Sequence, residues 1–560
     1  MSTIEGFPDG LLKGLQSSGA YPNEVGAASD VSTIQTHISW LFLNAARVYK
    51  LRKAVNFGFV DFATRQQRNR DCLREVTFNR RLAPDVYLGV APVSVTDHGV
   101  RVGVVTQSVT DPDQEHCVVM RRLPQGRAAA NLIMQDKLTG HHVDAMVRAI
   151  VGFHRRHGLG QPAPFTPEDW LSRISAPVED NLKPIAGLLD DERVRSIAQA
   201  SRNFINTHCQ RFEMRRRSGC AVDGHGDLHL DHVWFETDSS DPLFIDCIEF
   251  SDRLRQIDVA SEVAFVAMDL TYRGRSDLAD RFLRQYATES GDFHLYSVVD
   301  YFVSYRATVR AKVAALTAAA TEPASAKRVS ARDTASRHLD VATEALSTRR
   351  RGAVVVMTGL VGTGKSTAAK ILADAVGRAV VISSDRVRKR GEGLRVSDRT
   401  WDNGGLYSKA SRRQVYLELI LRAEPVVSSG RVVILDATFS QAYQRQLAIA
   451  LAGEYDLPLL IVETRCRAEC VVERLGERQR QGVDPSDAGP AFYEESARQF
   501  LPVDMQGHGA HIIVNTGRIS WQADLRERVK SWQRNTAGDK PRRQVENSPL
   551  KLEIDASSGD

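Results

Sequence analysis

The residues best suited to chemistry fall in two clusters, and each has the make-up of a phosphoryl-transfer site. In the second half, Gly359-Leu-Val-Gly362-Thr363-Gly364-Lys365-Ser366-Thr367 fits the spacing G-x-x-x-x-G-K-[ST]. Glycines there let backbone N–H groups point inward around a phosphate chain, and the N-terminus of the following helix adds partial positive charge. Lys365 is placed to reach β- and γ-phosphates, and the Ser366 hydroxyl to hold Mg²⁺. The apolar run AVVVMT before the motif reads as a strand and STAAKILADAV after it as a helix. Those flanks argue against the bland alternative, a glycine-rich turn without a ligand.

Two carboxylates end later apolar strands. Asp385 follows VVISS and has Arg388 three residues on, a pair able to orient an acceptor hydroxyl and grip a phosphate. Asp436 ends VVILD and suits the ordering of a Mg²⁺ shell. The structural alternatives are a helix-capping Asp385 and a bracing Asp436. Arg474, Arg478 and Arg480 lie in VVERLGERQRQG, which reads as a basic helix, either a lid over the nucleotide or a solvated face.

The densest ionisable cluster in the first half is His225-Gly-Asp227-Leu-His229-Leu-Asp231-His232, followed after a turn by Ile245-Asp246-Cys-Ile-Glu249. Phosphoryl transfer needs one carboxylate beside the acceptor hydroxyl, assigned to Asp227, and another on the metal that bridges the ATP phosphates, assigned to Asp246. The pattern H-x-D-x-x-x-x-N is met at His225 and Asp227, but His232 stands where the metal-binding Asn is expected. Imidazole is softer than the oxygen donors Mg²⁺ prefers, so the second metal position is altered, differently filled or lost.

Residues 352–530 resemble the small P-loop kinases that include gluconate kinase, polynucleotide kinase and the zeta toxins, on the phosphate loop, Asp385-x-x-Arg388, Asp436-Ala-Thr and the lid arginines Arg474 and Arg478. The resemblance implies a kinase whose Asp385 activates the acceptor. Residues 31–340 resemble the aminoglycoside phosphotransferase-like family, kin of choline and fructosamine kinases, on HGDLH, the Asp246 strand and Asp258. That resemblance implies a protein-kinase-like fold, with Lys50 of Val-Tyr-Lys as the phosphate-holding lysine and Glu75 as its helix partner. Lys53 is a nearby competitor, Val118-Val-Met-Arg121 a candidate adenine hinge, and no glycine-rich loop precedes Lys50.

The elements that must position these residues follow from patterning. ISWLFLN, ARVYKL, FGFVDF, VYLGVAPVSV, GVRVGVVTQSV and HCVVMRRL suggest a small antiparallel sheet, interrupted by a helix over TRQQRNRDCLREVTFNRRLA. Helical periodicity dominates from about residue 140, and strands alternate with helices after Arg351, the grammar of a parallel sheet covered on both faces. The fold expected is therefore a multidomain chain, an α+β two-lobed kinase-like domain followed by an α/β P-loop domain with a parallel sheet. Its boundaries are an arm over 1–30, the kinase-like domain over 31–350 with lobes meeting near 125, the P-loop domain over 351–535 and a disordered tail over 536–560. TAAATEPASAKRVSARDTAS is either a linker or a surface helix.

With 26% charged residues and a net charge of +5, wholesale disorder is excluded and no anionic polymer is demanded as partner. Seven scattered cysteines without a C-x-x-C pair suit a reducing compartment. No apolar run reaches the ~18 residues of a membrane span, so a cytoplasmic protein without a membrane partner is expected. No stripe of arginine and aromatic residues marks a nucleic-acid groove. The reading is a phosphotransferase using ATP and Mg²⁺ on a small-molecule hydroxyl. Its alternatives are a nucleotide-binding regulator with one inactive half, a kinase of protein or nucleic acid, and a dinuclear metal hydrolase built on Asp227, His229, Asp231 and His232. Motifs do not set the acceptor, the choice of ATP over GTP or the oligomeric state.

Overall fold

Six strands, Ser32–Gln35, Ser39–Leu43, Arg47–Arg52, Glu115–Arg121, Tyr87–Thr96 and Gly99–Val102, form an antiparallel sheet in that spatial order. In this computed structural model the described residues are 5–24, 31–58, 60–347, 351–391, 409–481, 491–505 and 509–536. They fall into two units, 1–289 with 301–346 and 290–300 with 347–560. The expected tail past Thr536 lies outside the described residues.

In the first unit, Lys50 sits on an interior strand with Leu41 and Val118 opposite it. The helix Arg65–Asn79 begins at a reciprocal cap between Thr64 and Gln67. It lays Cys72 and Val76 on Val90 and Val118, which carries Glu75 under the sheet. The described residues of FGFVDF are not a strand; Asp61 makes an isolated bridge with Asn56. Nor do the described residues of the expected arm stand apart. Leu11 and Leu15, four residues apart and so on one helical face, bury against Phe42, Tyr49 and Leu51 together with Tyr21.

The helical part is built from Gly140–Arg156, Pro167–Leu182, Asp191–Arg217, Val259–Tyr272, Ser276–Ser290, Val299–Ala319 and Ala326–Ala345. Most of the Ala/Ser/Thr stretch is helix. Ser325 caps Ala326–Ala345, and that helix buries Ala335, Leu339 and Ala342.

His154 is buried in the first of these helices, its Nδ1 2.8 Å from the Tyr286 hydroxyl. Burial pushes its pKa from 6.5 down to about 3. The unfolded chain therefore takes up a proton that the folded chain refuses, so this contribution is intact above pH 6.5 and lost as pH falls towards 3. From about pH 7 to about pH 5 the loss is on the order of 2 kcal/mol. Chemical denaturation of wild type and His154→Gln at both pH values checks this: the variant should lack that increment, and parallel losses would rule it out.

The second unit holds a five-stranded, all-parallel sheet in the order Ala379–Ser383, Val432–Asp436, Ala353–Thr358, Leu459–Arg465, Ala510–Asn515. Ala353–Thr358 is central and fully buried, as its unbroken apolar run requires. The chain leaves it at the carboxyl edge between two neighbours reached by opposite crossovers, the place where open α/β sheets bind ligands. Asp300 belongs to this unit and pairs with Arg378 at 2.9 Å and with Arg431 at 2.7 Å.

Candidate active sites

Lys50 Nζ lies 2.9 Å from Glu75 Oε1 and 2.7 Å from Asp246 Oδ1, so sheet, helix and the segment after the turn meet at one ammonium. Lys53 is elsewhere, over the Trp40 ring. Beside Lys50, the buried Arg52 pairs through Nε with Asp71 and through Nη2 with Glu75, both at 2.6 Å, and also with Glu249. Burial drives the Glu249 carboxyl well above its ordinary range despite the nearby arginine. Asp246 has a left-handed backbone, φ 62°, and its N–H donates to the Tyr87 hydroxyl at 3.0 Å. That conformation is uncommon outside glycine and turns the carboxylate out of the strand direction. The hinge candidate Val118–Arg121 lies within the strand Glu115–Arg121; Val118 and Val119 are buried, and Arg121 pairs with Glu236 at 2.6 Å.

The loop carrying Asp227 is held from below by groups that motif reading missed. Glu262, fully buried, accepts the N–H groups of His225 and Gly226, and Arg306 donates to the Gly226 carbonyl at 3.0 Å. Each is the single charge within an apolar run of its helix, VASEVAF and YFVSYRATV. That contrast was the available signal, because a charge is buried only with partners. His225 donates from Nε2 to the Ile245 carbonyl at 2.9 Å, and burial lowers its pKa to about 3. Asp258 caps Val259–Tyr272 and takes the guanidinium of Arg215 in two bonds of 2.8 Å.

His232 joins the two carboxylates. Its Nδ1 donates to the Asp227 carbonyl at 2.9 Å and lies 3.6 Å from Asp227 Oδ2, while Nε2 is 3.5 Å from Asp246 Oδ2. Burial and then His229 lower its pKa, so the neutral ring points a lone pair at a carboxylate. A lone pair facing an anion is the donor set of a divalent cation, and the residues fit one with a mixed nitrogen and oxygen shell. His229 lies 3.6 Å from Asp227 Oδ2; burial disfavours its charge, but Asp227 and Asp231 outweigh it and raise its pKa to about 9. Against the same burial, His229, His232 and Arg310 hold Asp227 well below the usual carboxylate range. Asp246 is likewise held low against its burial by Lys50 and His232. His229, Asp231 and Asp269 form a second cluster of potential ligand atoms beside Asp227, His229 and His232, and Asp231 and Asp269 are paired with Arg273 at 3.2 and 2.9 Å.

In the second unit the cradle is shaped by its neighbours. Gly359, Gly362 and Gly364 have φ of 131°, 76° and 91°. A Cβ at Gly359 would stand 2.4 Å from the Thr464 carbonyl, and one at Gly362 2.7 Å from Val471. Lys365 Nζ donates to the carbonyls of Gly359 and Leu360 at 3.0 and 2.8 Å. The Ser366 hydroxyl bonds the Asp436 carboxylate, whose pKa burial raises; Lys365 and Asp385 also lie within electrostatic range. Ser366 Oγ with Asp436 is an oxygen donor pair that fits Mg²⁺. Asp385 accepts from Arg388 at 2.9 Å. Thr363 is buried, bonded to the Leu360 carbonyl and the Thr464 hydroxyl, whereas Thr367 is exposed. Arg474 donates to the Thr516 hydroxyl and carbonyl at 3.1 and 2.9 Å, so the structure places it on that loop. Arg478 belongs to the helix Ala468–Gln481, but its side chain lies outside the described residues.

Comparison with known proteins agrees with this layout. Residues 47–297 match the phosphotransferase enzyme family and residues 354–502 an AAA domain. Among solved structures, the Plasmodium vivax ethanolamine kinase is 12% identical, covering 58% of this chain and 83% of its own at a TM-score of 0.35. The APS kinase of Mycobacterium tuberculosis is 18% identical, covering 33% and 99% at a TM-score of 0.23. No helix among the described residues is long and apolar enough to cross a membrane. The uncharacterized protein Rv2004c of Mycobacterium tuberculosis is 34% identical over 443 residues, 78% of this chain and 83% of that protein. The chain belongs to the family of that mycobacterial protein, and it joins a kinase-like phosphotransferase domain to a nucleotide-binding P-loop kinase domain.

Proposed function

We propose that the chain transfers the γ-phosphoryl group of ATP to a hydroxyl of a small molecule, with one nucleotide site in each unit. The observation that carries this reading is Lys50 held between Glu75 and Asp246, with His232 linking Asp246 to Asp227. In the first unit, Lys50 binds the α- and β-phosphates and Glu75 keeps its ammonium in place. Asp227 orients the acceptor hydroxyl. Its strongly depressed pKa makes it a poor base before transfer, which suits a loose transition state where the proton leaves late. Asp246 and His232 would hold the divalent cation, which supplies charge neutralisation between the phosphates when bound.

In the second unit, the backbone N–H groups of 359–366 and Lys365 hold the phosphates, and Ser366 and Asp436 would hold Mg²⁺. Asp385 orients the acceptor there, and Arg388 steers the transferred group while fixing the Asp385 carboxylate. A second reading, a first unit that binds nucleotide without turning it over, draws on the His229 imidazolium beside Asp227, which competes for the carboxylate an acceptor needs. Titration calorimetry of the intact chain with ATP and Mg²⁺ tests the proposal. Two binding events are expected, GTP in place of ATP gives the base preference, and no heat with either nucleotide would end it.

A further inference from the structure

A cleft whose Arg310 lies within electrostatic range of Asp227 is cationic. Helices Val299–Ala319 and Ala326–Ala345 line an open cleft of about 310 Å³, with Arg310, Thr317, Lys327, Ser330, Thr334 and His338 on its wall. The remaining wall is valine and alanine, and no carboxylate lines it. Other arginines near the loop are committed: Arg273 to Asp231 and Asp269, Arg215 to Asp258, Arg306 to two backbone carbonyls. Arg310 has no hydrogen bond or ion pair among the described residues and is partly exposed. Arg310 lines the cavity and lies within electrostatic range of Asp227, His229 and Asp231 as well as of His338.

His338 completes the wall. Its ring stacks on Tyr272 at 3.8 Å and donates from Nδ1 to the Thr334 carbonyl at 2.8 Å. Burial holds its pKa down at about 4, so Nε2 is an acceptor, fitted to a ligand hydroxyl. A guanidinium without a carboxylate, an exposed lysine and three hydroxyl side chains on one wall are the complement of a phosphate or carboxylate. They repel an ammonium.

Resting on the phosphotransferase reading of the first unit, we propose that its acceptor is a hydroxylated small molecule bearing an anionic group, a phosphate or carboxylate, seated in this cavity on Arg310 and Lys327 with its hydroxyl turned to Asp227. Arg310 is then a specificity-determining residue.

The test uses the full chain carrying Lys365→Ala, which silences the phosphate cradle of the other unit. Line broadening of inorganic phosphate, acetate and tetramethylammonium is measured by NMR on this protein with and without Arg310→Gln. Arg310→Gln is expected to weaken binding of the preferred anion by about tenfold, with Arg310→Lys recovering part of it. The larger loss, for phosphate or for acetate, tells which anion the cavity takes. Equal anion binding with and without Arg310, or preferential binding of tetramethylammonium, overturns the proposal. ATP titration of the Lys365→Ala protein separates the two failures. Retained ATP binding with Arg310-independent anion binding refutes the anionic acceptor alone, and absent ATP binding refutes the phosphotransferase reading beneath it.

Discussion

Asp227→Asn is expected to cut phosphoryl transfer by the first unit about 10²–10⁴-fold while leaving nucleotide affinity within a few-fold of wild type. The amide keeps the size of the side chain but offers the acceptor hydroxyl only one oxygen and no charge. The nucleotide contacts assigned to Lys50, Glu75 and Asp246 are untouched, and the loop keeps its supports, since Glu262 and Arg306 hold backbone atoms of His225 and Gly226. The effect should therefore fall on turnover and spare the binding heat. Product formation in the Lys365→Ala background isolates this unit. An undiminished rate there would remove Asp227 from the reaction, and unchanged product in the presence of a silent first unit would favour the regulatory reading.

Lys365→Ala is expected to act on binding first. Its ammonium rests on the carbonyls of Gly359 and Leu360, at the mouth of a loop whose three glycines hold positive φ. Removing it leaves the amide cradle but takes away the cation that the proposal assigns to the phosphates. Loss of such a preorganised donor costs roughly 10²–10³-fold in rate, and nucleotide affinity should fall in parallel. Calorimetry should show one of the two binding events vanish while the other persists, which Asp227→Asn does not reproduce. Retention of both events would mean that the loop is a structural turn. A product panel run on each variant then assigns each phosphorylated compound to one unit.

What could be read from sequence was local. The phosphate loop is contiguous, its strand and helix flank it directly, and the structure has the glycines in the conformations that the spacing requires. Lys50 and Glu75 are 25 residues apart yet lie on successive recognisable elements, and the structure has them 2.9 Å apart. Arg52 is harder to see. Alternation along a strand puts residues 50 and 52 on one face, but only the fold brings Asp71 and Glu249 to meet the second cation. Glu262, Arg306 and Arg310 come from helices whose apolar patterning dominates the reading. Residues 5–24 are polar enough to suggest an arm, yet Leu11, Leu15 and Tyr21 bury in the sheet's core, and Asp300 joins the second unit through an arginine 131 residues away, beyond any local pattern.

The Arg52 cluster has a consequence for control. Many protein kinases are switched off by swinging the helix that carries the glutamate away from its lysine. Here Arg65–Asn79 is riveted twice, because Arg52 grips Asp71 and Glu75 of the helix and Glu249 of the metal-side segment at once. Swinging the helix out would strand a fully buried guanidinium, a penalty of about 3–5 kcal/mol for a broken buried pair. This half of the chain is therefore built to resist a helix toggle: moving the helix away from Lys50 would also break the Arg52 cluster.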